Sequence, residues 1–395
     1  MKRSRFLTAL AAAGLAPALV GAAGGESVEP LERALVLSGG GARGAYEAGV
    51  VGELTAAAGI SDGAAVPPYE VVCGTSIGAL NGWFVATGQY TRMRELWYTI
   101  GGQDLMRLKS RYAALHDPES GLLNRAASAL GLIGLVRDQR AVLDSEPVLA
   151  WINEHVDPKT PLVIPLVWAV TNLTQQRSEY FYLRPQQNVD LPQRVVHALK
   201  ILLGPHTVVR EATPDILHTA LFASMAIPIA FDPVVMPGPD GALNAYCDGG
   251  VASNSPVAIA HAVANAADVV LLDPPFEAEE DYKDAIEIAF GAYGTMQRKI
   301  LEGEMRNAYF QSLGRRALGR LTPAEVDRAS KGDGALAAFM QTVPATELRY
   351  VRPAKTLPVG VVGFSDEVGI GNAYRIGWED AGRGFTRYDW QTFQL

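Results

Sequence analysis

The chain has 395 residues, 48% of them hydrophobic and 19% charged, with 40 Gly, 24 Pro, 6 His and 2 Cys. That composition excludes a disordered chain, a collagen and a disulfide-stapled miniprotein, and leaves one large globular domain or two small ones. With 34 Lys and Arg against 42 Asp and Glu the net charge is -8, so no general basic field exists to hold a polyphosphate backbone, and nucleic acid is not an expected partner.

In chain order, Lys2, Arg3 and Arg5 precede an apolar stretch from Phe6 to Val20 that ends in the small residues Gly21 to Gly25. This is the pattern of an export signal cleaved after Ala22 or Ala23, with an uncleaved membrane anchor as the alternative. No Cys follows it to accept a lipid. Later apolar runs are interrupted before the 18 or so residues that a spanning helix needs. The expectation is therefore a signal peptide over residues 1–23 and a periplasmic or secreted product.

Beyond the leader, apolar and β-branched runs alternate with helical patterns. That alternation predicts an α/β fold of three layers, α/β/α, around a mostly parallel central sheet. A buried strand at Ala34-Leu-Val-Leu37 leads into a helix from about Gly44 to Ala58, and Tyr69-Glu-Val-Val-Cys73 leads into a helix from Ser76. Further strands are predicted at Leu166 to Val170, Tyr180 to Leu183 and Val269 to Leu272, and Thr213-Pro214-Asp215 reads as a helix start with Thr as the cap. Residues 33–273 form one domain, and 274–395 a mostly helical, charged extension that packs on it or completes it.

Three segments carry chemistry. Ser38-Gly39-Gly40-Gly41-Ala42-Arg43-Gly44 sits where a strand ends and a helix begins, so backbone N–H groups and the helix dipole make an anion site. Its spelling also fits the dinucleotide fingerprint, but the second strand, Glu70-Val-Val-Cys-Gly74, ends in glycine and serine rather than in the acid that binds ribose. Gly74-Thr75-Ser76-Ile77-Gly78 is a G-x-S-x-G between a strand and a helix, the context of a nucleophile elbow. A serine that merely caps the helix is the bland alternative.

A serine hydroxyl needs a base. None of the six histidines lies in a glycine-rich turn or beside an obvious acid; His261 alone follows a plausible Asp, on what reads as a helix face. Asp248-Gly249-Gly250 offers a carboxylate where close backbone approach is allowed, although in isolation an ordinary turn is the better reading. Neither H-E-x-x-H nor C-x-x-C spacing occurs, so no metal and no cofactor are expected.

Taken in order, Gly-Gly-Gly-Ala-Arg-Gly at 39–44, Gly-Thr-Ser-Ile-Gly at 74–78 and Asp-Gly-Gly at 248–250 resemble the patatin-like phospholipases, lipid acyl hydrolases with a Ser–Asp dyad. A fourth segment, Ala223-Ser224-Met225-Ala226-Ile227-Pro228, is similar to a structural block of that family. The resemblance implies Ser76 as nucleophile, Asp248 as base, and an oxyanion hole from Gly39, Gly40 and Gly41 with Arg43. Arg43 has the alternatives of fixing the loop by pairing with a carbonyl or carboxylate, and of contacting a substrate phosphate.

The implied substrate is a phospholipid or other fatty acyl ester, taken at a membrane surface. Two other readings stay open: a general carboxylesterase with a Ser-Asp-His triad through His261, and a catalytically silent lipid-binding envelope protein. Gly121 to Val136 is a candidate apolar flap, with Arg107, Lys109 and Arg111 before it to face anionic headgroups. Cys73 and Cys247 lie close to Ser76 and Asp248 in sequence, and are expected as buried thiols rather than a bridge.

Overall fold

The computed structural model describes residues 30–110, 141–185, 191–204, 206–275, 285–322 and 343–393, with 324, 325, 328 and 339. The expected signal peptide, Arg111 and the apolar segment 121–136 lie outside the described residues.

Among the described residues ten strands form one sheet in the order β10-β9-β8-β1-β2-β3-β4-β5, with β7 on β3 and β6 on β7. In sequence these are β1 (Leu31–Leu37), β2 (Tyr69–Thr75), β3 (Leu166–Asn172), β4 (Arg177–Leu183), β5 (Val208–Glu211), β6 (Val234–Pro237), β7 (Leu243–Asp248), β8 (Ala264–Val270), β9 (Glu347–Val351) and β10 (Thr386–Arg387). β9, β8, β1, β2 and β3 run parallel to one another. The fold is thus mixed α/β with a mostly parallel central sheet, as the alternating pattern predicts.

The central strands read as near-continuous apolar runs because both faces are covered. Leu35 and Leu37 of β1, Val72 of β2 and Leu166, Trp168 and Val170 of β3 enter one core layer. Ala34, Val36, Val71, Cys73, Val167 and Ala169 enter the other. The first layer is closed by α1 (Gly44–Ala57), α2 (Ile77–Ala86), α3 (Tyr90–Thr99), α4 (Glu146–His155) and α6 (Leu217–Met225). The second is closed by α5 (Leu191–Leu203), α7 (Val257–Val263) and the 34-residue α8 (Ala285–Leu318). Each fully buried Leu, Val or Ile contributes about 1.5–3 kcal/mol.

The extension beyond 274 enters both sheet and helix layers. β9 pairs with β8, β10 with β9, and α9 (Glu367–Gly382) lies along α1. The last contact is close because Gly49 faces the Tyr374 carbonyl and Gly377 faces the Tyr46 carbonyl, where a Cβ on either glycine would strike backbone.

Two local expectations need correction. Thr213-Pro214-Asp215 is a turn, and α6 begins later, at Leu217; Thr213 serves through its carbonyl, which accepts from the amides of Ile216 and Leu217, and no side chain caps the helix. The strand expected to reach Leu272 ends at Val270, after which the Leu272 side chain packs over Gly40.

Candidate active site

The site arises where two strands meet end to end. β4 occupies one side of β3 along its length, while β2 and β7 share the other. β2 stops with Thr75 opposite Ala169, and the oppositely directed β7 stops with Asp248 opposite Val170, one register position on. The residue following β2 and the last residue of β7 are therefore forced together, across 172 positions of sequence.

Ser76 leaves β2 with φ 54° and ψ -127°, a strained conformation for a residue with a side chain, and α2 begins directly after it. Its Oγ donates to Asp248 Oδ2 at 2.6 Å, and its amide donates to Ser224 Oγ at 2.9 Å. Ser224 in turn donates to the Ala169 carbonyl at 2.7 Å, so the hydroxyl ties the strained turn to β3. Gly74 and Gly78 are required by packing: a Cβ on Gly74 would run into the Gly78 carbonyl.

Asp248 is fully buried. Its Oδ1 accepts the Gly250 amide at 2.7 Å and its own amide donates to the Ala226 carbonyl at 2.9 Å. Burial pushes its carboxyl up to about 6, against the opposing pull of the Ser76 hydroxyl, the Gly250 amide and, more weakly, the Tyr293 hydroxyl. Gly249 fits because a Cβ there would meet the Ala169 carbonyl.

The glycine loop lies against the serine: a Cβ on Gly39 would stand 3.2 Å from Ser76 Cβ. Gly39 donates its amide to the Asn254 carbonyl at 3.0 Å, which removes it from the expected set of oxyanion donors. Among the described residues the amides of Gly40 and Gly41 have no partner in the chain. Gly41 lines the pocket in front of Ser76 with φ +58°, beneath the Val361 carbonyl. Arg43 donates to Asp273 Oδ1 at 2.9 Å, and Arg298 donates to the same oxygen at 3.3 Å. That pairing corrects the assignment of Arg43 to the oxyanion hole and realises its loop-fixing alternative.

Residues 253–255 brace both halves. The Ser253 carbonyl accepts from Thr75 Oγ1 at 2.9 Å, the Asn254 carbonyl accepts from Gly39, and the Ser255 and Ser38 hydroxyls touch. Behind them Glu304 of α8 accepts from Ser253 Oγ at 2.5 Å and from the Ser255 amide at 3.2 Å, and burial raises its carboxyl to about 8.

In front of Ser76 an apolar pocket encloses about 580 Å³ including its mouth. Leu80, Ile100, Leu105, Val148, Trp151, Phe231 and Phe364 line it, with Val361 and Val362, and no charged side chain does.

The remaining expectations fall elsewhere. His261 is buried on α7, with Nδ1 at 3.0 Å from Thr346 Oγ1 and 3.4 Å from Ser312 Oγ, and burial lowers it to about 4. Arg107 pairs with Asp144 and Glu146, and Lys109 with Asp232. Cys73 and Cys247 are buried free thiols, and burial pushes the latter up to about 12. Among the described residues no three His, Cys, Asp or Glu side chains gather as a metal set, and no helix is long and apolar enough to cross a membrane.

A family model described as patatin-like phospholipase matches residues 35–261. The chain belongs to the patatin-like phospholipase family. Its mixed α/β sheet is that of a patatin-like domain, and membership makes it, at the level of the family, a lipid acyl hydrolase. Among solved structures, the crystal structure of VipD from Legionella pneumophila aligns over 91% of this chain and 68% of its own, at 13% identity and a TM-score of 0.34. No curated protein matches.

The patatin-like match ends at 261. The pocket wall at 361–364 and the Glu304 brace both lie beyond it. Sequence reasoning missed them, together with Ser224 and Asn254 as site-building residues. Ser224 had a signal, its place in the fourth family-like segment. Glu304 had none, being one acid on a long charged helix.

Proposed function

We propose that this protein is an exported serine lipid acyl hydrolase of phospholipase A or lysophospholipase type, with Ser76 as nucleophile and Asp248 as the single general base. The observation that carries this reading is the 2.6 Å hydrogen bond from Ser76 Oγ to Asp248 Oδ2 at the end of an uncharged pocket. Asp248 takes the hydroxyl proton as Oγ attacks the ester carbonyl, then passes it to the departing alcohol as the C–O bond breaks. A water then gives its proton to Asp248 while attacking the acyl-enzyme, the Ser76–acyl bond breaks, and the proton returns to Ser76.

The amides of Gly40 and Gly41 receive the developing oxyanion, and the loss of one such donor costs about 3 kcal/mol of barrier. The apolar lining takes the acyl chain and leaves the headgroup outside. The basic, apolar and small-residue pattern of residues 1–25 supports export to the periplasm or medium.

The test is product analysis on phospholipids, lysophospholipids, acylglycerols and soluble esters, with Ser76→Ala as blank. Free fatty acid from lipid esters, together with loss of both turnover and fluorophosphonate labelling in Ser76→Ala, is the expected result. An unreactive Ser76 in the intact protein would leave the silent lipid-binding reading standing instead. His261 separates the dyad from a triad: because its ring bonds Thr346 rather than Asp248, His261→Gln should keep kcat within about threefold, whereas loss of a triad base costs several orders of magnitude.

A further inference from the structure

One buried polar group beside the dyad has no role in this scheme. α8, outside the family-matched residues, presses on the turn after Asp248: the Gln297 amide nitrogen occupies the space into which a Gly250 side chain would point. One helical turn earlier, Tyr293 brings its hydroxyl into the same corner, beside Asp248, Cys247 and Gln297. The oxygen is shut off from solvent and lies within reach of the Asp248 carboxylate and the Gln297 amide without full hydrogen-bond geometry to either. A buried hydroxyl short of full hydrogen bonding costs free energy that folding alone does not recover, so its position calls for a state in which it is fully paired.

Asp248 shows which state that is. In the resting site its two oxygens each have a donor, Ser76 Oγ on Oδ2 and the Gly250 amide on Oδ1. Once Ser76 is acylated, its oxygen has lost its proton and can no longer donate. We propose that Tyr293 is a positioning residue for deacylation, its hydroxyl replacing Ser76 as the donor to the Asp248 carboxylate in the acyl-enzyme. A buried carboxylate short of donors takes up a proton, and a protonated Asp248 cannot accept one from the hydrolytic water. The phenol holds the carboxylate ionised and in plane during the half-reaction in which its usual partner is blocked. This rests on Asp248 acting as the base.

Tyr293→Phe removes one oxygen and keeps the ring, so the fold and the melting temperature should be retained. Acyl-enzyme formation and decay on a p-nitrophenyl ester, followed by rapid-quench mass spectrometry of the intact protein from pH 5 to 8, read the two half-reactions separately. Acylation at neutral pH should stay within about threefold of the parent. Deacylation should slow about tenfold, with its acid limb moved to higher pH by about one unit, because loss of a donor raises the carboxylate pKa. An unmoved acid limb overturns the proposal, as does an equal fall in both half-reactions. Asp248→Asn in parallel separates the two levels: an active Asp248→Asn protein removes the base itself, whereas an inactive one beside a parent-like Tyr293→Phe removes only the role given to Tyr293.

Discussion

Asp248→Asn should lower kcat on a soluble short-chain ester by about 10³- to 10⁴-fold while leaving the protein folded. The magnitude follows from losing the only acid–base group of both half-reactions. The geometry says why the fold survives. An asparagine Oδ1 still accepts the Gly250 amide that Asp248 accepts at 2.7 Å, and the side chain is the same size. Its Nδ2, however, faces Ser76 Oγ as a donor, so the 2.6 Å contact is reversed in polarity and the serine proton has nowhere to go. A fully buried carboxylate also carries a desolvation penalty that the amide does not, so the melting temperature should be equal or higher. Circular dichroism and thermal melting beside the kinetics check this, and parent-like turnover in the variant would remove Asp248 from the mechanism.

The same residue sets the pH dependence. Burial raises the Asp248 carboxyl to about 6, and the ionised form is the base. Activity of the parent should therefore rise as pH climbs through about 6 and level off above about 7, falling about tenfold per unit well below the midpoint. A rate–pH profile with its acid limb near pH 4 would mean that the carboxylate is far better solvated during turnover than in the resting fold.

How much of this was readable in sequence depends on whether a residue's partner is local. The glycine turn and the elbow at Ser76 are local: strand, tight turn and helix follow within a few residues, and φ 54° at Ser76 is the conformation that the flanking Gly74 and Gly78 permit. Asp248 was readable only as a turn until the ordered family-like segments were taken together, because its partner lies 172 residues away. What joins them is the end-to-end meeting of β2 and β7 along β3, a register relation with no local signature. The tail was the least legible. β9 alternates charge with apolar residues as Glu-Leu-Arg-Tyr-Val, and nothing in that spelling says that it extends the parallel sheet, or that Val361 and Phe364 after it line the pocket of Ser76. Arg43 illustrates a different limit. A guanidinium suits a carboxylate and a phosphate alike, and only the chain's return at Asp273 decides between them.

Gly78→Ala and Gly303→Ala, a pair that differs only in surroundings, should move stability in opposite directions. Both glycines lie in helices, where alanine is favoured by roughly 0.5–1 kcal/mol on backbone grounds. At Gly303 nothing stands within 4 Å of an added Cβ, so that gain should appear undiminished and activity should not change. At Gly78 the added Cβ would strike the Leu37 carbonyl, with its carbon at 2.6 Å and the Ser38 carbonyl oxygen at 2.8 Å. Those atoms belong to the end of β1, which carries the glycine loop, and Gly78 belongs to the first turn of α2, which carries Ser76. Relief therefore requires the two halves of the site to separate by several tenths of an ångström. Overpacking of this kind costs about 1–3 kcal/mol, enough to outweigh the helix gain and lower the melting temperature by several degrees. Activity should suffer more than stability, because displacement of the nucleophile from the oxyanion donors approaches the range in which about 10²-fold is lost per ångström. A folded Gly78→Ala protein with parent-like kcat would show that the loop and the serine need not be held in register for the reaction to proceed.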